Sequence, residues 1–143
     1  MPRVETNIEI SAPPKKIWEV LKDLALTPKW NMTVKEATEL GSDKYSVKST
    51  AGDYIAIITN RIENERVSLE VEHPDFNGYG YISKEKGNMT ELTHWVDYKI
   101  VKHEKILKRG LKIILNGLKN FVEYLEDGGD PDEYEAKQIL VKP

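Results

Sequence analysis

An imidazole on an apolar strand face can hold a ligand by a hydrogen bond or move a proton near neutral pH. His94 is placed in this way, because Leu92, Val96 and Tyr98 alternate with it and must point to the same side of a strand. A lone histidine of this kind also serves as an ordinary core residue with one satisfied hydrogen bond, and both roles stay open. Tyr79 and Tyr81 share one strand face and offer aromatic walls with hydroxyl tips. Tyr45, Trp30 and Phe121 can line a pocket or fill a core, whereas Trp18 reads as core packing. Trp95 lies on the face opposite His94, where it is expected to be exposed as a contact residue or covered by lysine stems. Gly110 and Gly117 sit one heptad apart, beside Ile114 and Phe121 on a helical stripe. Each mid-helix glycine costs roughly 1 kcal/mol against alanine. The missing side chains either leave room for a ligand or let the helix approach its neighbours closely.

Other chemistries find little support. The sequence has no cysteine, which removes disulfides, thiol catalysis and thiolate metal sites. His73, His94 and His103 have no partner histidine at metal-ligand spacing, so no metal and no cofactor is expected. Gly78-Tyr79-Gly80 lacks the third glycine and following helix of a dinucleotide site. Glu70 and Glu72 read as a solvated strand face. Lys105, Lys108, Arg109 and Lys112 form a basic helix side, ordinarily an outer face and secondarily a surface for anionic membrane or a partner. The net charge of -3 argues against nucleic acid as a partner. No apolar run reaches the roughly 20 residues that span a bilayer. Without an apolar run after the N-terminal charge, a cytoplasmic address is the default expectation.

The elements that would position these residues can be traced along the chain. Val4, Thr6, Ile8 and Ile10 alternate with polar neighbours and predict a strand. Ser11 is a reasonable N-cap for a short helix carrying Ile17, Trp18, Leu21 and Leu24, which Thr27-Pro28 should break. Another helical turn is expected over 29–32. From about Val34 to Ile100 the patterning is of strands, with turns at Ala51-Gly52-Asp53, Glu63-Asn64-Glu65, His73-Pro74-Asp75 and Gly87-Asn88. Between Tyr54 and Ile62 both faces are apolar, so the inward parity is open. Glu104 to Asp127 then reads as one long amphipathic helix, with Leu107, Leu111, Ile114, Leu118, Phe121 and Leu125 on a single stripe. Gly128-Gly129 closes it. A single domain over 1–127 and a tail over 128–143 follow, the tail being a short helix, an arm or a dimer contact. A sheet with one apolar face needs a cover, and only the long helix is large enough to supply it.

This order resembles the helix-grip fold of the START-like or Bet v 1-like superfamily (SRPBCC), which includes polyketide cyclase-like and lipid-transfer-like proteins. The resemblance rests on Val4 to Pro13, the helix from Ile17 to Asp23, Trp30, the last strand and the terminal helix. It implies an α+β domain whose curved antiparallel sheet wraps a long C-terminal helix around a cavity. The expected partner is a small hydrophobic molecule, lipid-like or aromatic, held by Tyr79, Tyr81, His94, Gly110, Ile114, Gly117 and Phe121. A second copy of the chain is also a candidate partner. Two other readings stay open: a cyclase or hydratase using His94 as acid–base, and a protein-interaction module like the co-chaperones that share this fold.

Overall fold

Period-two patterning produces seven strands, and every neighbouring pair is antiparallel. The computed structural model describes residues 2–50, 52–99 and 104–134. The strands are β1 (Arg3–Ile10), β2 (Val34–Gly41), β3 (Lys44–Ser49), β4 (Tyr54–Ile62), β5 (Arg66–Glu72), β6 (Phe76–Lys86) and β7 (Met89–Tyr98). Their order across the sheet is β1-β7-β6-β5-β4-β3-β2. Helix α1 (Pro14–Leu21), a 3-10 turn (Leu24–Leu26) and α2 (Thr27–Trp30) connect β1 to β2, and α3 (Glu104–Glu126) follows β7. The architecture is the α+β, helix-grip-like arrangement of a curved sheet and a long closing helix.

The expected N-cap at Ser11 is not the observed one. Helix α1 begins at Pro14 with Pro13 as its cap, and no side chain caps it. Ser11 instead donates its backbone N–H to Glu123 Oε2 at 2.8 Å. Lys119 Nζ reaches Glu9 O at 2.8 Å and Glu123 Oε2 at 3.0 Å, so the C-terminal half of α3 is fastened to the β1–α1 corner. Partial burial would raise the Glu123 carboxyl pKa, but the Ser11 N–H and the Lys119 ammonium outweigh it and hold the group below the ordinary range. Thr90, fully buried, pins the start of β7 to the same corner by donating to Ala12 O at 2.8 Å.

Thr27-Pro28 opens a helical turn rather than ending one, because proline is accepted in a first turn whose N–H groups have no helical partner. The parity of β4 resolves as Tyr54, Ala56 and Ile58 inward, and a bulge after Ile58 turns Ile62 outward. Trp95 does face away from His94, yet it is only 8% exposed. Gly80 stands directly opposite it on β6, and a Cβ there would lie 2.6 Å from the indole. Arg3, paired with Asp97 at 2.7 Å, lies over the ring with 4.0 Å from Cζ to the centroid. The missing side chain on one strand and a guanidinium on the other account for the cover.

Helix α3 ends where Gly128 takes φ +91°, a conformation natural to glycine. Beyond it the chain folds back, and Tyr134 packs its ring on Phe121 and Tyr124, both at 4.9 Å between centroids. Ile100, His103 and the apolar stretch 139–141 lie outside the described residues.

Candidate functional site

Strand register decides which inward side chains meet. Tyr81 pairs with His94 across β6 and β7, and with Val67 across β6 and β5. One rung along, Tyr79 pairs with Val96 and Leu69. Directly opposed residues stand about 5 Å apart, and here the result is a continuous aromatic wall. The Tyr81 ring stacks on His94 with centroids 4.2 Å apart and planes 6° from parallel. Tyr79 meets both edge-on, at 6.2 Å and 6.0 Å.

Between this wall and the N-terminal half of α3 lies a cavity of about 350 Å³. Leu107, Leu111 and Ile114 recur at helical spacing and form its roof, with Gly110 between them. Trp30 closes one end, edge-on to Tyr81 at 6.3 Å. The rim carries Thr33, Ser49 and Thr50 together with Ile106, which is 69% exposed, and the buried Asn31 also lines the cavity. Among the described residues lining the cavity, none is Asp, Glu, Lys or Arg.

The electrostatics follow from that apolar lining. Burial lowers the His94 pKa to about 4, although a hydrogen bond to the Gly80 carbonyl partly opposes the shift. The imidazole is therefore neutral near pH 7. A carbonyl only accepts, so His94 Nδ1 donates to Gly80 O over 2.9 Å and Nε2 keeps its lone pair. Burial also pushes the Tyr79 hydroxyl well above its ordinary pKa, and the Tyr54 and Tyr81 hydroxyls rise for the same reason. Tyr54 and Tyr79 share a hydrogen bond. Among the described residues the lining offers neutral hydrogen-bonding groups to an occupant and no charged side chain.

Of the residues singled out in the sequence, Tyr79, Tyr81, His94, Gly110 and Ile114 come together here. Gly117 and Phe121 do not. A Cβ on Gly117 would collide with the Trp30 backbone oxygen, so this glycine lets α2 pack against α3 and acts on the cavity only by seating Trp30. Phe121 is 1% exposed and lies in the core beside Tyr134. Tyr54 and Phe76 also line the cavity, and sequence reasoning missed both. The signal for Tyr54 would have been the pairing of Ala56 with the inward Val71, which needs the register.

The two helix glycines should therefore respond oppositely to one methyl group. Nothing lies within 4 Å of a Cβ added at Gly110. Gly110→Ala is expected to stabilise the fold by up to about 1 kcal/mol through helix propensity. Gly117→Ala should destabilise it by roughly 1–3 kcal/mol, because a backbone oxygen cannot step aside. Urea unfolding of both variants measures this; equal signs would contradict the packing described.

Among the described residues no group of three His, Asp or Glu side chains is placed to hold a metal ion, and no helix is long and apolar enough to cross a membrane. A family model described as polyketide cyclase / dehydrase and lipid transport matches residues 1–126. No curated protein is similar enough to count as a match. Solved structures share the fold at low identity. The protein XoxI from Bacillus cereus is 15% identical with a TM-score of 0.75, over 88% of this chain and 99% of that one. A START superfamily protein from Mycobacterium smegmatis is 17% identical with a TM-score of 0.72, over 86% and 98%. The Aha1 dimer from Colwellia psychrerythraea is 16% identical with a TM-score of 0.71, over 86% and 97%.

Proposed function

The chain belongs to the polyketide cyclase/dehydrase and lipid-transport family, and from that premise we propose that it binds or carries a small hydrophobic molecule, lipid-like or aromatic, between the sheet and α3. The observation that carries this reading is the open cavity of about 350 Å³, walled by aromatic and aliphatic side chains. Its volume is within the range of small-molecule sites, where apolar contact supplies affinity and a few polar groups set orientation.

A cyclase or hydratase has less support. With a pKa of about 4, His94 is a weak base at neutral pH, and efficient general bases sit near the working pH. The tyrosine hydroxyls are poor proton donors with pKa values raised by burial. A protein-interaction module draws little from Trp95, because Arg3 covers the indole.

Native mass spectrometry of gently purified protein, followed by organic extraction, tests the proposal. A stoichiometric apolar molecule in the extract is the expected result. An apo mass together with no thermal shift across a panel of hydrophobic compounds would overturn it.

A further inference from the structure

The cavity wall restricts the chemistry of its occupant further than apolarity alone. His94 is 2% exposed, its Nδ1–H is committed to Gly80 O at 2.9 Å, and its ring is clamped flat on Tyr81 at 4.2 Å. Among the described residues Nε2 has no hydrogen-bond partner. It therefore presents a fixed acceptor from the floor of the cavity. A hydroxyl group has the proton that this acceptor lacks, and so suits it. A carboxylate does not suit it, since it has no proton to donate and would face the His94 lone pair. It would also leave water for a lining that has no counter-charge among the described residues, at a cost well beyond one hydrogen bond.

On these grounds, and resting on the carrier reading above, we infer that the cavity selects neutral ligands bearing a hydroxyl donor, such as a phenol or an alcohol, which His94 Nε2 accepts. Anionic ligands of the same shape are excluded. The histidine is then a specificity residue: it discriminates among apolar molecules of equal size, and the apolar wall supplies the common affinity.

Three probes of nearly equal shape separate the terms: 2-naphthol, 2-methoxynaphthalene and 2-naphthoate, titrated against the full chain at pH 7.5. Trp30 lies on the cavity and reports by fluorescence. One net hydrogen bond should make 2-naphthol bind about three- to tenfold tighter than 2-methoxynaphthalene. The naphthoate should bind at least about a hundredfold more weakly than 2-naphthol. The ¹⁵N resonance of His94 Nε2 should move with 2-naphthol and stay in place with the methoxy compound. In His94→Phe, whose stacking surface is kept, the two neutral probes should bind alike. Equal binding of 2-naphthol and 2-methoxynaphthalene by the wild-type chain would overturn the inference while leaving the carrier reading intact. So would naphthoate binding as tightly as 2-naphthol. If no probe binds, and hydrophobic compounds at large give no thermal shift, the carrier reading falls and takes this inference with it.

Discussion

Phe121→Ala is expected to cost roughly 3–5 kcal/mol of folding free energy, the usual range for emptying a buried aromatic site. Phe121 is 1% exposed and sits where α3, the corner after β1 and the returning chain at Tyr134 converge. The corner is fastened by Glu123 and Lys119, which limits how far the surroundings can collapse into the space. Domains of this size typically have about 5–15 kcal/mol in total, so the variant should be marginal at 37 °C. Tyr134 loses one of its two aromatic neighbours, and the chain after Gly128 should become more open to proteolysis. Urea unfolding followed by circular dichroism measures the loss. A value under about 1 kcal/mol would mean that Phe121 belongs to a yielding pocket wall, as the sequence pattern had suggested, rather than to the packed core.

The second large effect concerns acid. His94 has a pKa of about 4 in the folded chain, against an ordinary value of 6.5. Between these values the unfolded chain binds the extra proton and the folded chain does not, so stability falls as pH drops through this window. The contribution is fully present above about pH 6.5 and is lost by about pH 4. At roughly 1.4 kcal/mol per pH unit, the wild type should lose about 3 kcal/mol from this residue. No carboxylate among the described lining residues faces the ring to rescue the imidazolium; its neighbours are Tyr81 and Tyr79 on β6 and Thr6 across on β1. Unfolding free energies of wild type and His94→Phe, measured at intervals from pH 7.5 to 4, isolate the effect because the other titrations are common to both. The two curves should diverge as pH falls, with the wild type losing about 3 kcal/mol more. Parallel curves would show that the imidazole is hydrated or ionised in the folded chain.

These two residues also show how far reading the chain goes. His94 and Phe121 both lie on apolar faces, and local periodicity assigns each to the inside of the molecule. Periodicity says which side of a strand or helix is buried; it does not say whether the space opposite is filled. Only the packing of α3 over the sheet puts His94 on a void and Phe121 against Tyr134. The same holds for the glycines. Both break helix propensity in the sequence, yet one borders open space and the other a backbone oxygen.

Trp95 shows a different gap. Its outward direction was legible from alternation with His94, but its cover comes from Arg3, more than ninety positions away, and from Gly80 on the adjoining strand. Glu123 was unremarkable in the sequence because its partners, the Ser11 N–H and Lys119, meet it only after the chain has closed.

From the sequence alone came the element order, the inward faces of β1, β5 and β7, the apolar stripe of α3 and the absence of thiol chemistry. Each of these depends on side-chain polarity at short range or on composition. The tertiary structure decided the register that stacks Tyr81 on His94, the parity of β4, the cavity and the tautomer that leaves Nε2 unprotonated. Those features depend on contacts between residues far apart in the chain, and local patterning carries no information about the distance across which two buried faces finally meet.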